Sequence, residues 1–557
     1  MPKVRAAAQE ASLEVASAPP PVRTIPELID ARAVLTPDAE ALVAGDTRST
    51  YAELAADSHV AAGVLAELGV TESAVVGLMA PNVPEWVPVA VGAMRLGARV
   101  DAFNTWAKAY DLDFLLGSSA AEVLVLADRV RGADLMAELR SLVPEIDRPG
   151  PLRSARFPAL RHVVVLGKDV PAGAHSWQRL VAEHAEHTGR GPLVAPPGRG
   201  DAPAYVLYTS GSTSKPKAVP LCHRDLVVNG FHIGERMGLR ETDRVWFGSP
   251  VFWSYGCANA LMATFTHGAC FVLQEQFTSA ATAELMARER VTAAYLLPTM
   301  IDALVSEAAA EIRAVTSLRT GLTIGRPDAV DKAAGTLGIE SICNVYGSTE
   351  TYGNCCVTDH RMPLERRRIT QGRPLPGVEI RIVDERTGAV LPAGEPGEAQ
   401  VRGRLTPGYL GDDAANAAAF TADGWFRTGD RLVVNADGTV MFVDRSTDMI
   451  KTSGINVSPA EVESFLTDHP GVAEILVVGA PHPTKDEVVV AFVVPADDEV
   501  TEEDLIRYCK KNIAGYKVPW LVSLVDELPR TGTGKLVRRG LRARAQDLVD
   551  ARLAVGS

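Results

Sequence analysis

No apolar run in the sequence approaches the roughly 18 residues that a membrane-spanning helix needs, so no span is expected. A basic excess is also missing. Lys and Arg total 56 against 69 Asp and Glu, a formal net charge of −13. A dedicated nucleic-acid binder needs a positive face to neutralise phosphates, so that class is not expected. A few local donors still suffice to hold a small anion. There is no Cys-x-x-Cys pair, and the seven cysteines are an odd number, which disfavours a disulfide framework or a structural zinc site. A reducing compartment fits. The first 24 residues lack the apolar core of a secretion signal and read as a flexible tail, on a protein expected in the cytoplasm. Internal repeats are absent, and oligomeric state is not legible.

What is present is an ordinary globular composition. Hydrophobic residues make up 46% and charged residues 22% of 557 residues. Such a length suits roughly four units, or one large multilayered domain with a smaller partner. Helical and strand patterns alternate from Ile25 to about Leu405. Tyr51 to Leu68 and Glu85 to Leu96 read as helices, with Pro88 tolerable in a first turn. Ala74 to Met79, Glu122 to Ala127, His162 to Leu166 and Ala204 to Tyr208 read as buried strands. This alternation predicts an α/β fold with largely parallel sheets. After about residue 370, short alternating runs between glycine turns predict a β-rich stretch: Val378 to Asp384, Glu398 to Arg402, Arg431 to Asn435 and Thr439 to Asp444. From Ser446 onward, helices at Pro459 to Leu466 and Glu502 to Asn512 flank strands at Val472 to Val478 and Glu487 to Val494. The expected division is a tail (1–24), a large domain (25–445) and a small α+β domain (446–557).

The chemistry is concentrated in five places. The first is Tyr208-Thr-Ser-Gly-Ser-Thr-Ser-Lys-Pro-Lys217, after an apolar strand. Hydroxyls, exposed backbone N–H groups and lysines can wrap phosphate oxygens. No second glycine precedes the lysine, so it is not the Walker pattern, and alone it reads equally well as a polar turn. The others are Asn344-Val-Tyr-Gly-Ser-Thr-Glu350, Gly424-Trp-Phe-Arg-Thr-Gly-Asp430, the run from Val443 to Glu463, and Pro529-Arg-Thr-Gly-Thr-Gly-Lys535.

These five motifs, in this order, resemble the adenylate-forming (AMP-binding) superfamily of acyl- and aryl-CoA synthetases. The resemblance spans nearly the whole chain after the tail. It implies ATP, Mg²⁺ and, as acceptor, coenzyme A. Thr209, Ser210, Gly211, Ser212, Thr213 and Lys217 would form the phosphate loop. Thr349 would bond the α-phosphate and Glu350 would hold Mg²⁺, a hard cation that prefers oxygen. Asn344, Tyr346 and Gly347 belong to the same motif, and Gly325, Arg326 and Pro327 would lie along the adenine. Asp430 and Arg445 would hold the ribose, and Gly454 would let a pantetheine thiol pass. Lys535, on a loop of two glycines and two threonines, would offset charge building at phosphorus.

Several positions depart from the family pattern. Ile324-Gly-Arg-Pro327 replaces the frequent Gly-Gly-Ala-Pro. Trp253 in Pro250-Val-Phe-Trp-Ser-Tyr-Gly256 stands where many relatives carry histidine. Thr447, a stiff β-branched residue, occupies the usual hinge position of Asp or Lys. Trp253, Tyr255, Gly256 and Ser348 are the expected substrate-pocket residues, and the Tyr-Gly pair hints at a small aromatic or cyclic acid. Cys355 and Cys356, without an activating base, read as packing residues.

The expected activity is therefore ATP-dependent activation of a small carboxylic acid as its adenylate, with pyrophosphate release and transfer to a thiol. The alternatives are other acceptors (a carrier protein, an amine, or nitrite activation for diazotisation of an aryl amine) and a catalytically silent nucleotide-binding homologue.

Overall fold

The computed structural model describes residues 18–186, 198–209, 215–325, 327–445, 449–497, 499–529 and 538–555. The helix Tyr51–Glu67 starts where Thr50 and Glu53 bond each other's backbone N–H groups in a reciprocal cap. It lies against the helix Trp86–Arg95 at close range. A Cβ on Gly92 would stand 2.6 Å from Ala61, so only glycine admits this approach.

Two parallel-type sheets form the large body. One runs Lys217–Cys222, Pro203–Thr209, Arg99–Ala102, Val75–Met79, Val123–Ala127, His162–Leu166 and His175–Ser176. Its neighbours are parallel except the hairpin in which Thr209 pairs with Lys217. The second sheet has a parallel centre, Glu40–Ala44, Cys270–Leu273, Arg244–Phe247, Ala293–Leu296, Thr320–Thr323 and Ser341–Tyr346, with antiparallel strands at its edges. The central strands are nearly continuous apolar runs because helices cover both faces. A four-stranded antiparallel sheet follows: Val378–Val383, Gly397–Gly403, Phe426–Val434 and Val440–Arg445.

The last unit has its own cores. Strands Val472–His482 and Asp486–Pro495 pair antiparallel, and Leu521–Leu524 runs parallel to the second. Alternation sends Ile475 and Val477 to one face with Val462, Phe465, Leu505 and Cys509. Leu476 and Val478 go to the other, with Leu541, Ala545 and Val549 of the C-terminal helix Arg539–Val555. Each face of the sheet thus carries its own helix layer, which a period-two strand pattern makes possible. Among the described residues no helix is long and apolar enough to cross a membrane.

Candidate active site

The loops that follow the parallel strands converge on one place. Asn104 lies just past Arg99–Ala102, Leu297 just past Ala293–Leu296, Ile324 just past Thr320–Thr323 and Gly347 just past Ser341–Tyr346. Carboxyl ends of parallel strands are where open α/β sheets bind ligands. These loops enclose a cavity of about 250 Å³, whose walls include Thr209, Trp253, Tyr255, Gly347, Ser348, Thr349 and Gly454. Seven expected site residues are thus gathered around one space.

The segment Ser254–Ala260 forms π-helical turns before the helix Leu261–Thr266. Such turns often mark functional sites because they shift side chains out of register. Here they present Tyr255 and Asn259 to the cavity. Gly256 does not line it. A Cβ there would stand 2.6 Å from the Val251 backbone, so Gly256 serves the tight fold-back of the chain.

A second group lies around the cavity. The hydroxyl of Thr349 donates to Ser254 Oγ at 3.3 Å. Glu350 Oε1 accepts from the Tyr409 hydroxyl at 2.9 Å, and Lys217 Nζ stands 4.6 Å from the Tyr409 ring centre. Burial first, and then the Glu350 charge, raise the Tyr409 pKa well above the ordinary phenol value, so Tyr409 remains a donor. A Lys–Tyr–Glu file therefore joins the end of the phosphate loop to the residue expected to hold metal.

Asn344 is fully buried. Its amide accepts from Gly325 N–H at 3.0 Å and donates to Gly325 C=O at 3.1 Å. It positions the Gly325 turn from beneath. Tyr346 donates its hydroxyl to Asp430 Oδ2 at 2.9 Å, and burial followed by the Asp430 charge raises its pKa. Asp430 sits inside the strand Phe426–Val434, not in a turn, directly opposite Arg445 of the neighbouring strand. The expected ribose pair is brought together by cross-strand register. Pro327 opens the short helix Pro327–Asp331. Cys355 and Cys356 are both fully buried, and burial raises the Cys356 thiol pKa, as suits packing residues.

The expected residues Ser210, Gly211, Ser212, Thr213, Arg326, Thr447 and Lys535 lie outside the described residues, as does the side chain of Arg445.

The last unit closes the cavity from the far side. The hairpin Ile450–Thr452 and Ile455–Val457 turns at Gly454, whose φ of +82° is comfortable only for glycine. A Cβ on Gly454 would approach Leu297 to 3.8 Å. Asn104 donates to the Tyr516 hydroxyl at 3.1 Å, and the Trp106 ring meets Trp253 and Tyr516 edge-on at 5.1 and 5.9 Å. Deeper in this seam, the Lys517 ammonium donates to Asp111 Oδ1 at 2.5 Å and to Glu461 Oε1 at 2.6 Å. The Ala514 N–H donates to the other Asp111 oxygen at 3.1 Å.

Sequence reasoning missed Tyr409, Asn259, Asn354, Asn104, Trp106, Tyr516 and the triad Asp111–Glu461–Lys517. Only Tyr409 had a local signal, the Thr406-Pro-Gly-Tyr409 turn before an acidic helix start.

Residues 29–410 match the AMP-binding enzyme family, and residues 461–535 match its C-terminal domain. The chain belongs to this family. It is 32% identical over 531 residues to the 3-[(3aS,4S,7aS)-7a-methyl-1,5-dioxo-octahydro-1H-inden-4-yl]propanoyl:CoA ligase of Mycobacterium tuberculosis, covering 94% of this chain and 99% of that one. Among solved structures it resembles a double mutant of o-succinylbenzoate-CoA synthetase (MenE) from Bacillus subtilis bound with its product analogue OSB-NCoA. That likeness has a TM-score of 0.78 at 27% identity, covering 93% of this chain and 98% of the other. The same enzyme with its acyl-adenylate intermediate OSB-AMP gives a TM-score of 0.62 at 28% identity, covering 92% and 97%. The overall disposition of this chain is thus nearer to the complex with the CoA analogue, in keeping with Gly454 standing at the cavity. Its reaction is that of an AMP-forming acid–thiol ligase, using ATP and coenzyme A.

Proposed function

We propose that the 250 Å³ cavity holds the acyl group of a small carboxylic acid through both half-reactions. In the first, the carboxylate attacks the α-phosphorus of ATP, forming the acyl–AMP anhydride while pyrophosphate leaves. In the second, a thiol of coenzyme A attacks the carbonyl, its proton is lost, and AMP departs with the bonding pair. The observation that carries this reading is that Thr349 of the large body and Gly454 of the last unit line one cavity.

Thr349 bonds the α-phosphate, and Asp430 accepts from the ribose hydroxyls, a carboxylate being able to take two such bonds. Lys217 and Thr209 flank the β- and γ-phosphates. Glu350 is the residue that would hold Mg²⁺, which commonly binds one or two carboxylates together with substrate phosphates. The fit is good: Tyr409 fixes one oxygen of its carboxylate, and no ion pair among the described residues competes for the other. Bound there, the ion would neutralise phosphate charge.

Lys535 supplies the cation for the first half-reaction. The C-terminal unit then turns, and Gly454 takes its place at the cavity wall, where the absence of a side chain lets the pantetheine arm pass. Lys535→Ala is expected to nearly abolish acid-dependent ATP–pyrophosphate exchange while thioester formation from supplied acyl-adenylate survives. Unchanged exchange would remove Lys535 from this role.

A further inference from the structure

The cavity has a mixed lining, polar and apolar in about equal measure. Leu207, Phe252, Trp253 and Ile324 contribute to it. Tyr255 also lines it, its hydroxyl spent on the carbonyls of Leu322 at 2.9 Å and Leu296 at 3.3 Å. The Tyr255 ring is backed by Tyr295 at 5.2 Å. Two of the cavity's polar lining residues are deeply buried amides. These are Asn259 and Asn354, with 0% and 2% of their surface exposed.

Their amides are not fully satisfied. Asn259 Nδ2 donates to the Tyr352 carbonyl at 2.6 Å, which sets the orientation of the amide and turns Oδ1 away. Gly353, at φ +88°, packs so closely that an added Cβ would stand 2.4 Å from the Asn259 amide. The side chain is therefore clamped. Asn259 Oδ1 and Asn354 Nδ2 are buried with no hydrogen-bond partner among the described residues. Each such orphan forfeits its hydration without replacement, so native proteins keep few of them. Two such amides line one cavity together with Ser348 Oγ, likewise without a partner among the described residues; one amide leaves an acceptor and the other a donor unanswered.

A hydroxyl is the small group that answers both, because it donates one hydrogen bond and accepts others. A methylene tail answers neither. We infer that the acid taken by this enzyme is a small ring acid bearing a hydroxyl, and that Asn259 and Asn354 select it by hydrogen bonds to that hydroxyl. This inference rests on the cavity being the acid site.

The test is a set of shape-matched acids in ATP–pyrophosphate exchange: the three monohydroxybenzoates, benzoate, the three methylbenzoates and octanoate. At least one hydroxybenzoate is expected to exceed benzoate and the matching methylbenzoate in kcat/KM by about 10- to 100-fold. In Asn259→Leu and, separately, Asn354→Leu, that ratio should collapse towards unity. Because the readout is a ratio within each protein, partial loss of folded enzyme does not alter it, and the wild-type ratios need no variant at all. Octanoate or a methylbenzoate turned over as well as every hydroxybenzoate would overturn the inference while leaving the ligase reading intact. So would a preference that both variants retain. Exchange with none of the acids, while ATP still binds, would remove the acid-site reading and this inference with it.

Discussion

The acid cavity and the seam between the two units solve opposite problems with buried polar groups. In the seam, Asp111, Glu461 and Lys517 are 9%, 5% and 4% exposed, and their charges are in direct contact. In the cavity, Asn259 and Asn354 carry no charge and leave atoms without partners among the described residues. The seam's three charges are answered within the protein, with Glu461 Oε2 left without a partner among the described residues, whereas the orphans of the cavity await something that enters it. The proposed turn of the last unit would give the seam a second state. Charges that separate into water are solvated again, so a buried ion pair makes a contact that can be both specific and reversible. Burial pulls the Lys517 pKa down, but Tyr516, Asp111 and Glu461 outweigh it and hold the ammonium above the ordinary lysine value. The positive member of the triad therefore stays charged while the seam is closed.

Removing that charge gives the largest effect expected. Lys517→Met leaves two carboxylates facing each other without compensation, and stranding a buried charge costs about 3–5 kcal/mol. In this structure the triad joins the units while Gly454 stands at the cavity, so under the proposed turn of the last unit the loss should fall on one half-reaction. Thioester formation from supplied acyl-adenylate is expected to drop about 100-fold or more, with acid-dependent pyrophosphate exchange changing by less than about 3-fold. Equal losses in the two assays would show that the triad serves stability alone and would erase the contrast between a switching seam and a static cavity.

A buried titratable group with no opposite charge sharpens the comparison from the other side. His223 is 4% exposed, and burial lowers its pKa from 6.5 to about 4. Its Nδ1 accepts from the Ile25 N–H at 3.4 Å, tying the first helix to the start of the helix His223–Met237. The unfolded chain binds a proton near pH 6.5 and the folded chain only near pH 4, so stability is full above 6.5 and falls as pH drops through that window. The slope is about 1.4 kcal/mol per pH unit, or roughly 2 kcal/mol between pH 6.5 and 5. Urea denaturation at pH 7, 6 and 5 should show this slope in the wild type and a shallower one in His223→Asn. Parallel pH dependences would refute the assignment to His223.

Local patterns were sufficient wherever local physics decides the outcome. His162–Leu166 and Glu502–Asn512 form as their apolar periods predict, and the helix Trp86–Arg95 accepts Pro88 in its first turn. Asp430 and Arg445 come from separate motifs, and only strand register, which no single motif contains, sets them opposite each other. The seam was invisible for a related reason. Lys517 and Asp111 are 406 residues apart, and an isolated acidic residue on a helix or lysine in a loop reads as solvated surface until the partner appears. Asn259 was hidden because its role depends on π-helical turns, which shift the helical period on which sequence reading relies.

The smallest effect expected lies at Tyr409, between the two regions in character: a polar group that is paired but uncharged. Its hydroxyl donates to Glu350 at 2.9 Å, and its ring faces the Lys217 ammonium. Tyr409→Phe keeps the ring and its cation contact and deletes one hydrogen bond to a carboxylate, worth about 1.5–3 kcal/mol at most when the acceptor is charged and buried. Glu350 is only partly buried, so water replaces much of that loss. The expected result is a rise of a few-fold in KM for ATP with kcat little changed, steeper when free Mg²⁺ is lowered, because a freer carboxylate pays more orientational entropy to hold the ion. Magnesium titrations of wild type and variant decide it. A shift in the Mg²⁺ midpoint assigns Tyr409 to orienting Glu350, whereas a change in kcat alone, at every Mg²⁺ concentration, would place the tyrosine in another role and separate it from the metal-holding residue.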